Sequence, residues 1–180
     1  MPRATQAVAL VPHPATPCAA VQSLRVHVQR EPQALFLRYV LAGDLGRLRI
    51  PAPRPPARAD GLWRHTCFEV FVASHGVSAY REFNFSPTGE WAAYAFARYR
   101  DGATTPDCPP PVIACRRSDD GLELHADAAC APEGRLRVGL SAVVEDARGV
   151  LSYWALRHPC AKPDFHHAES FALEIDEIRH

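Results

Sequence analysis

The sequence has almost no lysine and no long hydrophobic run, and both shortages exclude classes of protein. No window approaches the roughly 18 to 20 apolar residues of a membrane-spanning helix, and the run from Ala7 to Val11 is too short for a secretory signal. Lys162 is the single lysine, and the 20 basic residues are balanced by 20 acidic ones. Because nucleic-acid and anionic-membrane binders need excess positive charge, we expect a soluble cytoplasmic protein with neither partner.

Spacings typical of metal, redox and catalytic sites are also missing. The six cysteines form no C-x-x-C pair, the commonest zinc-ribbon and redox spacing, and without an export signal we expect reduced thiols. The sequence has no G-x-S-x-G, P-loop or H-E-x-x-H motif. Cys67, beside His65, is better explained as a packed strand residue than as a nucleophile. We therefore predict no catalytic residue, no metal and no cofactor.

What the sequence does contain is the composition and periodicity of a β protein. Hydrophobic residues make up 47% and charged residues 22% of 180 residues, which predicts one globular domain over residues 1–180. Apolar residues recur at every second position, as in Leu24, Val26 and Val28, and the 17 prolines cluster where this alternation breaks.

The alternation predicts about eleven short strands. They lie near residues 5–11, 23–29, 34–41, 46–50, 66–73, 80–86, 91–99, 112–116, 121–130, 135–145 and 151–156, with a weaker candidate at 171–176. Turn sequences such as Pro87-Thr88-Gly89 separate several of them. Many short strands without intervening helices indicate an all-β antiparallel sandwich or a barrel, of which we prefer the sandwich.

Residues 61–100 hold most of the aromatic and polar density. In the strand near 66–73, Cys67, Glu69 and Phe71 share one face, and in the strand near 80–86, Glu82 and Asn84 share one face. If the two strands are neighbours, a carboxylate and an amide lie side by side. A polar pair on a largely apolar face is either a satisfied core feature or a ligand site.

These residues also carry a resemblance to a known family. Leu62-Trp63-Arg64 with Cys67-Phe68-Glu69, the run Tyr80-x-Glu82-Phe83-Asn84-Phe85-Ser86-Pro87, and Gly89-x-Trp91 resemble DOMON-like domains related to family 9 carbohydrate-binding modules. Ser152 to Leu156, Lys162 to His166 and Ser170-Phe171 fit the same pattern, so the motif-bearing region covers about residues 60–175. The resemblance implies a jelly-roll-like sandwich whose relatives bind sugars or haem.

The sugar-binding relatives use aromatic rings as platforms and carboxylates or amides for the hydroxyl groups, chemistry that suits indole and carboxylate side chains. The ligand-binding candidates that the resemblance implies are Trp63, Arg64, Glu69, Asn84, Trp91, Trp154 and His166. The structural alternative is that each tryptophan only packs in the core. Glu69 could likewise do no more than pair with Arg64 or Arg81.

Haem and metal sites are weaker alternatives. The haem-binding relatives use methionine and histidine, but Met1 is the only methionine, so a bis-histidine site such as His65 with His158 would be required. The tail offers softer ligands for a transition metal, namely His158, Cys160, Asp164, His166 and His167. On a strand, the adjacent histidines would face opposite ways.

The leading hypothesis is a non-catalytic module that binds a small polar ligand, a saccharide or related metabolite, on one sheet face. One alternative is a small-metabolite enzyme with Glu69 or a histidine as acid or base, or with Glu69 and Glu82 as a carboxylate pair. Another is a protein-interaction domain. The oligomeric state and the identity of the ligand are not determined by the sequence.

Overall fold

The computed structural model describes residues 5–178 and consists almost wholly of β-strands. The eleven strands are β1 Thr5–Pro12, β2 Val21–Glu31, β3 Ala34–Gly43, β4 Cys67–Ser74, β5 Tyr80–Phe85, β6 Trp91–Phe96, β7 Ile113–Ser118, β8 Gly121–Ala129, β9 Leu136–Glu145, β10 Leu151–Ala155 and β11 Leu173–Ile175. The predicted all-β class and the strand number are confirmed. Three short 3-10 helices, Leu45–Arg47, Leu62–Arg64 and Ala168–Ser170, complete the secondary structure of the described residues.

Every pairing between these strands is antiparallel, in the order β6-β5-β4-β9-β10-β1-β2-β3-β8-β7. Strand β11 pairs with β9. We call β4, β5, β6, β9, β10 and β11 the front sheet and the other five strands the back sheet. Strand β1 joins them, because its last residues pair with β10 while its first six pair with β2.

The two sheets pack face to face, as the sandwich prediction requires. Phe68, Val70 and Phe83 of the front sheet belong to the same buried cluster as Val26 and Tyr39 of the back sheet. The Tyr39 hydroxyl donates to the Glu69 carbonyl at 2.7 Å, and the Tyr39 and Phe68 rings lie 5.1 Å apart. The core therefore consists of the inward-facing alternate residues of both sheets.

One predicted strand, at residues 46–50, is wrong. The chain forms the 3-10 helix Leu45–Arg47 instead, because the Asp44 carboxylate accepts a hydrogen bond from the Gly46 amide and caps the first turn. Leu48 keeps a single bridge to Asp146. The alternating apolar residues over 46–50 therefore belong to a short helical turn and one bridged residue, and they do not form a strand.

The turn between β5 and β6 determines which side chains of the hairpin share a face. Gly89 has φ +93°, a left-handed conformation that favours glycine, and its amide donates to the Ser86 carbonyl. This turn sets Phe85 opposite Trp91 and Glu82 opposite Tyr94. Within the described residues, no helix has the length and apolar character needed to cross a membrane.

Candidate ligand-binding groove

The outer face of the front sheet carries a large groove with a cavity volume of about 1060 Å³. A cavity on the back sheet, beside Phe36 and His125, holds about 490 Å³. The side chains that line the groove come from β4, β5, β6, β9 and β10 and from the loops that flank them. They include Arg58, Asp60, Trp63, Arg64, Glu69, Glu82, Tyr94, Phe96, Arg100, Val143, Tyr153, Lys162, Phe165 and His166.

Two carboxyl groups form the floor of this groove, and an amide lies beside them on the same face of the sheet. In the strand register Glu69 lies opposite Asn84 and also opposite Ser141, so the predicted juxtaposition of Glu69 and Asn84 is confirmed. Glu82 lies two residues along β5 on the same face. Only 2% of the surface of Glu69, 0% of Asn84 and 5% of Glu82 is exposed.

Burial favours the protonated form of the two floor carboxyl groups. The Glu69 carboxylate accepts a hydrogen bond from the Ser141 hydroxyl at 3.3 Å. Burial nevertheless raises the pKa of Glu69 well above its ordinary value, and the neighbouring Glu82 raises it further. Burial also raises the pKa of Glu82 to about 7. Near neutral pH a substantial share of these carboxyl groups is therefore protonated and can donate as well as accept hydrogen bonds.

The Asn84 amide has unused hydrogen-bonding capacity. Neither its oxygen nor its nitrogen has a hydrogen-bond partner of good geometry, although the amide lies close enough to Glu82 to hold the pKa of that carboxyl down against the effect of burial. Asn84 lies beside Glu69 on the same face of the sheet but does not line the cavity itself. A buried amide without a partner is costly, about 1 to 3 kcal/mol, which makes it an unusual feature of this face.

One end of the groove is closed by an aromatic cluster made of Phe71, Tyr80, Phe96, Phe165 and Phe171. The Tyr80 and Phe96 rings stack 4.9 Å apart. Gly139 on β9 makes room for this cluster, because a Cβ there would come within 2.9 Å of the Phe171 ring.

His166 is inserted into the aromatic cluster and faces the floor. Its Nδ1 lies 2.8 Å from the Tyr80 hydroxyl and its Nε2 lies 3.5 Å from a Glu82 oxygen. Burial, together with the positive charge of Arg100, lowers the pKa of His166 to about 4. His166 is therefore neutral near pH 7, and its contact with Glu82 is not an ion pair.

Another part of the groove wall presents an exposed indole. Trp63 lies in the 3-10 helix Leu62–Arg64, which follows Gly61 in a left-handed conformation (φ +73°) and packs over β4 and β5. The Trp63 side chain is 48% exposed, and the Arg64 guanidinium lies 5.3 Å from its ring centre. An exposed aromatic face beside buried polar groups is suited to a ligand with one apolar and one polar face.

The remaining wall residues are held by hydrogen bonds and ion pairs. Tyr94 donates to the Asp60 carboxylate at 2.7 Å, and Arg58 lies 3.2 Å from the same group. Arg100 forms an ion pair with Asp164 at 2.9 Å. These pairs position the side walls before any ligand arrives.

The seven predicted site residues do not all lie together. Trp63, Arg64, Glu69 and His166 line the groove, and Asn84 lies next to Glu69 without lining the groove itself. Trp91 and Trp154 lie on the other face of the front sheet and pack with the sandwich core, and Trp154 donates its indole N–H to the Ser152 hydroxyl at 3.0 Å. The groove is therefore built around one tryptophan and leaves the other two out.

Several groove residues were not predicted as site residues. Tyr94, Tyr153, Arg58, Arg100 and Lys162 line the groove but stand outside the residues singled out for ligand contact. Tyr94 faces the groove because it lies opposite Glu82, a pairing that a sequence alone does not fix. The loop residues arrive through tertiary packing, which has no local sequence signal.

The residues considered for a Glu69 ion pair, a haem site or a metal site have other contacts in the structure. Within residues 5–178, neither Arg64 nor Arg81 forms an ion pair with Glu69, and Arg81 donates to the Cys130 carbonyl. His65 contacts Glu145 at 2.7 Å, whereas His158 contacts the Val11 carbonyl at 2.8 Å. No group of three or more His, Cys, Asp or Glu side chains in the described chain is arranged to hold a metal ion.

Comparison with known proteins identifies relatives by fold alone. No family model and no curated protein matches this sequence. A candidate carbohydrate-binding protein from Bacteroides uniformis superposes with a TM-score of 0.69 and 13% identity, covering 93% of this chain and 83% of that chain. A carbohydrate-binding module of family 9 from Caldicellulosiruptor kristjanssonii, in complex with glucose, gives a TM-score of 0.55 and 11% identity, covering 86% and 75%. The β-sandwich fold is therefore shared with these proteins.

Proposed function

We propose that the protein binds a saccharide in the groove on the outer face of the front sheet, without chemically changing it. The observation that carries the proposal is the groove itself, which combines an exposed indole with a floor of buried carboxyl groups. The apolar face of a pyranose ring packs on an aromatic ring, while its hydroxyl groups need hydrogen-bond partners. The fold shared with a family 9 module in complex with glucose supports the same ligand class.

Each groove residue has a distinct part in this proposal. Trp63 provides the platform, and Arg64 and His166 contact the edge of the ligand. Glu69 and Glu82 exchange hydrogen bonds with its hydroxyl groups, and the neighbouring Asn84 amide favours the ionised form of Glu82. Trp91 and Trp154 take no part, because they pack in the core.

The test is a glycan-array screen followed by calorimetry on the glycans that bind. We expect Trp63→Ala to weaken binding by about tenfold to a hundredfold, the loss of about 1.4 to 3 kcal/mol that removing a stacking platform causes. Trp154→Phe serves as the matched control, because it changes an indole that does not reach the groove. Absence of binding across a broad array, or equal losses in both variants, would refute the proposal.

A second candidate function is acid–base catalysis on a bound sugar. It is favoured by Glu82, whose pKa burial raises to about 7, close to the optimum for a general acid or base at neutral pH. Incubating the protein with the glycans it binds, and analysing them by mass spectrometry, distinguishes the candidates. Cleavage that is lost in Glu82→Gln would establish the enzyme, whereas unchanged glycans support the binding module.

The family assignment follows the same proposal. We infer that residues 1–180 form one DOMON-like domain with jelly-roll-like connectivity, whose motif-bearing region, residues 60–175, includes both the groove and the aromatic cluster. The supporting observation is that the Tyr80 to Pro87 run contributes Glu82 to the groove and sets Asn84 beside Glu69. Family members aligned on this run should keep polar residues at the positions of Glu82 and Asn84.

A further inference from the structure

Four basic side chains line the groove, although the whole chain has equal numbers of basic and acidic residues. They are Arg58, Arg64, Arg100 and Lys162. The last of these is the single lysine of the sequence. Since the overall charge is balanced, the concentration of basic groups here is a local property of the groove.

Two of these four groups are already neutralised by carboxylates. Arg58 lies 3.2 Å from Asp60, which also accepts a hydrogen bond from Tyr94. Arg100 lies 2.9 Å from Asp164, which also accepts a hydrogen bond from Tyr99. Neither pair leaves a net charge for a ligand.

The other two, Arg64 and Lys162, have no carboxylate partner among residues 5–178. Both side chains are exposed. Arg64 is placed beside the proposed platform by its contact with the Trp63 ring, and Lys162 comes from the loop after β10 on a separate part of the chain. Two separate segments therefore bring uncompensated positive charge to one cavity.

The carboxyl groups of the floor do not cancel this charge. Glu69 and Glu82 are buried in the sheet face, and Ser141 rather than an arginine is the hydrogen-bonding partner of Glu69. Burial raises the pKa of both groups, so protonation removes much of their negative charge near neutral pH. The groove thus offers two uncompensated positive charges, and its floor offers hydrogen-bonding groups whose negative charge is reduced.

We propose that the natural ligand is an acidic saccharide, whose anionic substituent pairs with Arg64 and Lys162 while its ring packs on Trp63. This inference rests on the proposed saccharide function and names the ligand class. Carboxylates of uronic acids and sulfate esters share the required chemistry, and the planar guanidinium of Arg64 can bind either through two hydrogen bonds.

The experiment uses glycans in matched pairs on one array. Uronic-acid oligosaccharides are compared with the same compounds after reduction of their carboxyl groups, and sulfated oligosaccharides with their desulfated forms. We expect at least tenfold tighter binding of the acidic member in one of the two series, and that series identifies the anion. We also expect this preference to shrink as salt is raised.

The outcomes separate this inference from the function on which it rests. Equal binding of acidic and neutral members would overturn the acidic ligand and leave saccharide binding standing. Binding of neither member would overturn both.

Variants assign the preference to the two basic residues. Arg64→Gln and Lys162→Gln should each reduce the ratio of acidic to neutral affinity by about tenfold, roughly the effect of losing one partly desolvated charge pair. Arg25→Gln is the matched control, because Arg25 is exposed on the back sheet. A ratio unchanged by both groove variants, or changed equally by the control, would overturn the assignment.

Discussion

The two faces of strands β4 and β5 are built from alternate residues of the same short segments, yet they differ in kind. The inner face presents Phe68, Val70 and Phe83, all fully buried and packed against the back sheet. The outer face presents Glu69, Glu82 and Asn84, which are buried almost as completely but carry polar groups. Equal burial therefore serves two purposes, packing on one face and hydrogen bonding on the other.

The two faces contribute to the stability of the fold in opposite directions. Apolar side chains on the inner face contribute about 1.5 to 3 kcal/mol each when fully buried. On the outer face, the partnerless Asn84 amide and the protonated carboxyl groups cost stability. Groups kept at such a cost are candidates for function.

The largest expected effect is on the inner face. Phe68→Ala should lower the free energy of unfolding by about 3 to 5 kcal/mol, because it leaves a cavity between the sheets. Trp63→Ala should lower it by only about 1 to 1.5 kcal/mol, because about half of this residue is already exposed. Denaturant unfolding of both variants measures the two changes in the free energy of unfolding. Similar losses of stability in the two variants would contradict the distinction between the faces.

The next effect is a pH dependence on the outer face. The native pKa of Glu82 is about 7 against 4.5 for the unfolded chain, so the native state holds a proton that the unfolded state has lost between these values. The stabilising contribution is full below about pH 4.5 and is lost as pH rises through 7, about 3 kcal/mol in total. Glu82→Gln removes this dependence, so the variant should gain about 3 kcal/mol relative to the wild type between pH 4 and pH 8.

The wild type and the Glu82→Gln variant contain the same other titrating groups near this position. His166, whose native pKa is about 4, contributes stability that is present above pH 6.5 and lost as pH falls through 4. This contribution largely cancels in the difference between variant and wild type. Glu82→Gln also removes the repulsion that raises the pKa of Glu69, which adds to the difference in the same direction. Glu133→Gln, at an exposed position, is the control. A difference that stays constant with pH for Glu82→Gln would show that burial does not control this carboxyl group.

A smaller effect concerns the amide without partners. Asn84→Leu has similar volume and removes two buried polar atoms that have no hydrogen bonds, so it should raise the free energy of unfolding by about 1 to 3 kcal/mol. The role proposed for Asn84 beside the floor carboxyl groups predicts that the same variant also weakens glycan binding. Thermal unfolding tests the expected gain in stability, and calorimetry tests the expected loss of glycan binding. A loss of stability would mean that the Asn84 amide is satisfied in the native state.

Much of this contrast could be predicted from the sequence, because two-residue alternation determines which residues share a face. It assigned Glu69 and Phe71 to one side of β4 and Phe68 and Val70 to the other, as the structure has them. It also placed Glu82 and Asn84 together on β5.

The tryptophans show where alternation is insufficient. Trp91 faces the core because the β5–β6 turn sets it opposite Phe85, and the sequence does not determine that register. Tyr153 and Trp154 are adjacent aromatics, and nothing local decides which of them faces the groove. Loop residues such as Arg58 and Lys162 reach the groove only through tertiary packing, which has no periodicity.

The most direct test of the account uses the three indole N–H groups as internal reporters. In a nitrogen–proton correlation spectrum, titration with a glycan that binds should shift the Trp63 signal strongly. The Trp154 signal should stay in place, since its indole N–H is bonded to Ser152 in the core, and the Trp91 signal should move little. Shifts centred on Trp154 or Trp91, with Trp63 unaffected, would contradict a saccharide site on the outer face of the front sheet.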